Sequence, residues 1–260
     1  MKIKSFLASS LALILATACV PAAQPGQPLT AAQAATLYQQ GDTASRNGDD
    51  AAAVRDYQVA AGAGNADAQR ALGELYQQGR GVTQDVAQAR VWYEKAAAQG
   101  NTRASLDLGI LYWQGTGVAK DPEKAFTYFQ TADAAGEMKA SRYVGLYYEA
   151  KGDDVQAVAA YQKGAAAGDI TSQYYLGRMY ELGKGVAQDY QQAATWYTRA
   201  AERGDLIASD GMVGLASLYE RGLGVGRDPD KAVALYRQAA AVGNKNAVAA
   251  LQRLGVPTSP

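Results

Sequence analysis

Four aspartates recur at matching places in this 260-residue chain: Asp85, Asp121, Asp189 and Asp228 each stand three residues after a valine. Carboxylates in so regular an array suggest metal binding or the paired acid–base work of glycoside hydrolysis. Both need acids that converge. The spacing instead puts one aspartate on each successive pair of helices, about 10 Å apart by helix packing distance. That is too wide for one metal shell, and an N-cap role accounts for every one of them. The chain has no histidine, which removes the commonest general base and the commonest metal ligand together. Its single cysteine, Cys19, can form neither an internal disulfide nor a thiolate cage. No catalytic residue, metal or cofactor is assigned, and the chain reads as non-enzymatic.

The elements that carry those aspartates are repeats. Leu72-Gly73-Glu74-Leu75-Tyr76 returns as Leu108 to Tyr112, Val144 to Tyr148, Leu176 to Tyr180 and Leu215 to Tyr219. Four copies continue into a Gly-x-Gly-Val turn, at Gly79, Gly115, Gly183 and Gly222. The aspartate follows, with Pro122 and Pro229 directly after two of them, the first helical position where proline is favoured. A second apolar stripe then runs through Ala89, Trp92, Tyr93, Ala96 and Ala97, and again through Ala193, Trp196, Tyr197, Ala200 and Ala201. Leu and Tyr at i and i+4 share a helix face, and the small residue beside them admits a close neighbour. Each unit is therefore two antiparallel helices that cannot bury their stripes alone, and stacking buries them.

Two units are shorter. Asn47 to Tyr57 parallels Lys151 to Tyr161, and neither has the Gly-x-Gly-Val loop. The expected fold is all-α: a right-handed superhelical solenoid of antiparallel helix pairs over residues 31–254, six pairs and a cap helix, with a tail at 255–260. Composition agrees, since alanine dominates the 48% hydrophobic content and there are 28 glycines to end helices. Formal net charge is zero, and no basic stripe exists to follow phosphates, so nucleic acid is excluded as a partner.

The combination Leu-Gly-x-x-Tyr, Gly-x-Gly-Val, Asp, Ala-x-x-Trp-Tyr-x-x-Ala-Ala and a closing Gly resembles the Sel-1-like repeat family of the tetratricopeptide-repeat superfamily. The likeness covers residues 66–250 strongly and 31–64 weakly. It implies a scaffold that binds proteins or peptides on its surfaces. Exported members are linked to envelope assembly, polysaccharide secretion and host interaction, and the residues do not choose among these.

Residues 1–18 read as a secretory signal. Lys2 and Lys4 precede an apolar run from Phe6 to Leu15, and Ala16-Thr17-Ala18 is a small-residue cleavage site. Cys19, placed immediately after it, resembles the lipidated cysteine of bacterial lipoproteins, whose acyl chains give a stable anchor. The leucine of that pattern lies one position early, at Leu15, so ordinary cleavage with release into the periplasm or medium is the alternative. Val20 rather than Asp follows the cysteine, which in a Gram-negative cell implies the outer membrane, facing the periplasm. Residues 19–30 form a Pro- and Gln-containing tether, and Thr30 with Gln33 looks like a capping box that opens the first helix.

Candidate partner-binding residues follow from comparing the chain with itself. One first-helix position holds Gln77, Trp113, Glu149, Glu181 and Glu220, a polar series that Trp113 breaks. Two others place Leu106, Ile110, Leu146 and Tyr174 in the middle units, bordered by Arg142 and Arg178. Aromatics with arginine on a concave face are what binding hot spots are enriched in, and inter-repeat packing is the alternative. Asp133 stands where other units have Ala61, Ala97, Ala165, Ala201 and Ala240, and a partner Lys or Arg would make it structural. Residues 206–213 carry an insertion of about three residues. The expected partner is an envelope protein or peptide, with the membrane contacted through the anchor. A cell-wall-acting enzyme and a polysaccharide-associated scaffold are the rival readings.

Overall fold

The computed structural model describes residues 27–258. The expectations for residues 1–18 and for Cys19 lie outside them. Thirteen helices follow in order among the described residues: α1 (Ala31–Arg46), α2 (Asp50–Gly62), α3 (Ala66–Gln78), α4 (Val86–Ala98), α5 (Thr102–Gln114), α6 (Pro122–Ala134) and α7 (Ala140–Ala150). The series continues with α8 (Asp154–Ala166), α9 (Ile170–Leu182), α10 (Tyr190–Ala201), α11 (Ser209–Arg221), α12 (Pro229–Ala241) and α13 (Lys245–Arg253). Each helix packs on the one before and the one after, α1 with α2 through α12 with α13. The fold is the all-α solenoid of paired helices.

In five of the six pairs one contact recurs. A small residue on the first helix lies under a ring from the second: Gly41 under Tyr57, Gly73 under Tyr93, Gly109 under Phe129, Gly145 under Tyr161 and Gly177 under Tyr197. A Cβ on Gly73 would fall 2.7 Å from Tyr93 Cε1, closer than real Cβ atoms approach. Glycine is needed here for space, not for backbone freedom. Backbone freedom is needed at Gly79, Gly115, Gly183 and Gly222, which end α3, α5, α9 and α11 in the left-handed conformation at φ 70, 73, 67 and 69°.

The second helices start on the aspartates. Asp85, Asp121 and Asp228 each accept the N–H three residues on at 3.0 Å, and Asp189 accepts from Gln191 and Gln192. Thr30 and Gln33 form the reciprocal capping box at α1. The loops also join units together. The second glycine of each Gly-x-Gly-Val turn presses on the first turn of the preceding unit's second helix: Gly81 on Asp50, Gly117 on Val86, Gly185 on Asp154 and Gly224 on Tyr190. Arg80 adds an ion pair to Asp50, Nε to Oδ2 at 3.0 Å. Pro122 and Pro229 open α6 and α12, the two second helices that no following loop of this kind covers. A ring with fixed φ pre-organises a helix start that receives no outside support. Near the start of α6, Tyr147 stacks on Phe126 at 3.9 Å between centroids.

Both ends of the stack are closed by polar surface, as a repeat array requires. Thr36, Gln39, Gln40 and Thr43 face outward from α1, and Lys245, Asn246, Gln252 and Arg253 from α13.

Candidate functional site: the inner face of the first helices

First helices of successive pairs approach one another, α7 with α9 and α9 with α11, so they lie on the inner side of the stack. Charged side chains stitch that face together in its C-terminal half. Tyr161 donates its hydroxyl to Glu149 Oε2 at 3.0 Å, and Arg178 of the next first helix pairs with Glu149 Oε1. Tyr197 donates to Glu181 Oε2 at 2.7 Å, and Arg221 reaches Glu181 Oε1 at 3.0 Å. Tyr236 donates to Glu220 Oε2 at 3.0 Å, and Arg253 meets both Glu220 oxygens at 2.7 Å. Each glutamate is thus held by a tyrosine of its own unit and an arginine of the next. Burial pushes the Tyr161 and Tyr197 phenols well up, and that of Tyr236 up to about 12. The hydrogen bond from Arg253 holds the Glu220 carboxyl below the usual range.

Towards the N-terminus the ladder loses its charge. In α3 and α4 a neutral Gln77 accepts from Tyr93 at 2.8 Å, and the next arginine position holds Ile110. In α5 and α6 both members of the glutamate–tyrosine pair turn apolar at once. Trp113 replaces the glutamate and Phe129 the tyrosine, and in α7 Leu146 stands at the place that Arg178 takes in α9. The Trp113 and Phe129 rings meet edge-on at 6.3 Å. A hydroxyl on Phe129, which is fully buried, would have no acceptor beside an indole, so the changes are physically linked. Trp113 and Leu146 remain half-buried and meet solvent.

The other candidates divide between this seam and its borders. Leu106 is 6% exposed and belongs to the core, with Ile110 and Trp113 packed against the same cluster. Tyr174 is half-buried between Tyr175, at 5.4 Å, and Tyr197, at 5.8 Å, against the core cluster that α10 forms with α11. Arg142 lies over the Tyr143 ring at 4.9 Å and pairs with Asp169 at 3.4 Å. Arg178 is tied to Glu149. Asp133 pairs with Lys163 at 2.7 Å and accepts from Ser141, so it bridges α6 and α8. Comparing first helices alone overlooks Phe129. The sign of it was present in the chain, in the one Phe standing where Tyr57, Tyr93, Tyr161, Tyr197 and Tyr236 stand.

No group of three or more acidic or thiol residues is arranged to hold a metal ion among the described residues. No described helix is long and apolar enough to cross a membrane. The Sel1 repeat family matches residues 66–101, 102–136, 170–205 and 209–244. The chain belongs to the Sel1 repeat family. Those four stretches are the pairs with the Gly-x-Gly-Val loop, and the tight-turned pairs α1–α2 and α7–α8 lie between and before them.

A Sel1 repeat protein from Oxalobacter formigenes is 31% identical, covers 85% of this chain and 93% of its own, and superposes with a TM-score of 0.75. The c5321 protective antigen of uropathogenic Escherichia coli is 32% identical over 87% of this chain, with a TM-score of 0.72. This chain spans 51% of that antigen's length. The immunity protein Pa5087 from Pseudomonas aeruginosa, 21% identical with a TM-score of 0.53, covers 83% of this chain and 84% of its own and shares the fold. No curated protein matches the sequence. Sel1 repeats are generally protein–protein interaction scaffolds, and their fold is typically non-catalytic.

Proposed function

We propose that this Sel1 repeat protein is a non-enzymatic scaffold, tethered in the bacterial cell envelope, that holds a protein or peptide partner on its inner face. The observation that carries the reading is the joint replacement of Glu and Tyr by Trp113 and Phe129, with Leu146 beside them at the place of Arg178. A charged ladder needs no such break for stability, and a half-exposed indole with a flanking leucine is a surface on which binding energy concentrates. Ile110 extends the seam, and Tyr174 with the ion-paired Arg142 and Arg178 borders it.

The test is affinity capture from envelope extracts with residues 24–260, beside a form carrying Trp113→Ala and Tyr174→Ala of equal helicity. A partner held by the parent and lost by the variant supports the reading, and equal capture by both contradicts it. The tether rests on Cys19. Palmitate labelling that disappears in Cys19→Ala, with the protein moving from the membrane to the soluble fraction, supports lipidation. Unchanged partitioning favours cleavage at Ala16-x-Ala18 with release.

A further inference from the structure

The side of the solenoid where each unit hands over to the next carries a second surface. The links α6–α7, α8–α9 and α10–α11 enclose an open groove of about 610 Å³. The residue one step past each unit's closing Gly and the Asn, Asp or Glu after it is Ala66, Thr102, Met138, Ile170, Leu206 and Lys245 in turn. Only the three consecutive units that form the groove place a large apolar side chain there. Met138 is 44% exposed, Leu206 59%, and the neighbouring Ile207 57%. Leu206 and Ile207 also sit where this unit is lengthened before α11 begins. Side chains so exposed contribute little to the fold, and these three, brought together from two links, give one groove an apolar wall.

The polar groups of the groove are unevenly satisfied. Asp169 is 6% exposed, and its Oδ2 accepts from the backbone and hydroxyl of Ser172 at 2.9 and 2.7 Å. Asp210 accepts from Asn244 at 2.8 Å. Asp169 is thus engaged within the protein, while Asp210 keeps its charge, and the lining sets three cations, Lys139, Arg142 and Arg203, against these two acids. Arg142, besides lying over the Tyr143 ring, has the 3.4 Å contact to Asp169, long for a charge-assisted bond, and leaves other guanidinium donors over. Lys139 at the rim is exposed and has no carboxylate within 4.0 Å among the described residues. Arg203 on the opposite link is held by Asp205 alone.

We infer that this groove is a docking site for an extended, acidic peptide segment of a partner protein, with aliphatic side chains on the Met138, Leu206 and Ile207 wall and a carboxylate on Arg142 and Lys139. The site shares Arg142 with the border of the inner face but includes neither Trp113 nor Leu146, and the inference stands whether or not Trp113 binds anything.

A displayed library of random heptapeptides, panned on the full chain, supplies the probe. The expected consensus has a large aliphatic residue within three positions of Asp or Glu. Fluorescence anisotropy with the winning peptide then compares the parent with Lys139→Glu and Leu206→Ser, both surface changes, and with Val59→Ser as a remote exposed control. Tenfold or greater weakening by each groove variant, with the control unchanged, is the predicted result. A basic consensus, no enrichment, or binding indifferent to both groove variants overturns it. A chain that sediments as a dimer, and as a monomer after Leu206→Ser, assigns the groove to a second copy and overturns it too.

Discussion

The indole of Trp113 stands edge-on to the ring of Phe129, 6.3 Å between centroids and 62° between planes, where three other units join a tyrosine hydroxyl to a glutamate. Restoring either half of the common pair alone should therefore hurt. Phe129→Tyr buries a hydroxyl without an acceptor, at a cost of about 1–3 kcal/mol. Trp113→Glu loses the ring contact and strands a carboxylate. The double substitution lets the new hydroxyl donate to the new carboxylate, and should recover about 1 kcal/mol relative to the sum of the singles. Urea unfolding of the four proteins measures the coupling; simple additivity would refute the pairing.

Glycine beneath a ring is a packing requirement that alanine cannot meet. Gly73→Ala drives a Cβ to within 2.7 Å of the Tyr93 ring, which is 1% exposed and has nowhere to move. The strain of about 1–3 kcal/mol outweighs the helix propensity gained, about 1 kcal/mol. Gly62→Ala, at the end of α2 with nothing within 4 Å of the added Cβ, should instead raise the melting temperature slightly.

Asp121 is the N-cap of α6. Its replacement by Ala removes the 3.0 Å bond from Lys124 N–H and should cost about 1 kcal/mol, while Asn at the same place should cost much less. Partner capture should be unaffected by either change. Loss of a hydrolytic or metal-dependent activity in the Asn variant would return the acid array to consideration as chemistry.

The C-terminal cap should loosen in acid. Arg253, with the Tyr236 hydroxyl, holds the Glu220 carboxyl below its ordinary value. A carboxylate whose folded pKa lies below its unfolded one adds stability at every pH above the unfolded value, about 4.3. That stability is lost as pH falls through the folded pKa. Hydrogen exchange of α13 amides should therefore accelerate below about pH 4 more in the parent than in Glu220→Gln. Equal acid sensitivity in both proteins would contradict the account.

Much of the fold was legible because its determinants are local and repeated. The Gly-x-Gly-Val turn, the capping aspartate and the Leu-Gly-x-x-Tyr face each state a backbone or packing need within a few residues, and four units carry the turn and its aspartate in parallel. Asp133 was legible as a structural acid, and its partner proved to be Lys163, 30 residues away. The inner face was harder to read. Leu106 looked like a surface residue by its offset from Leu108, yet it faces the core, because one residue of register moves a side chain 100° around a helix. Arg142 and Arg178 read as the border of that face, and their acids, Asp169 and Glu149, come from neighbouring units. The partner of Trp113 lies on the second helix, and only a comparison of both helices together reveals Phe129.

The central claim is that the apolar break on the inner face is where a partner sits. A photo-crosslinking phenylalanine analogue placed at Trp113 in living cells tests it most directly, with the same analogue at Val59, 51% exposed on α2, as the reference. The account predicts one dominant protein adduct from position 113, diminished by Leu146→Ser, and none of that mass from position 59. An adduct from position 59 with none from position 113 would contradict it.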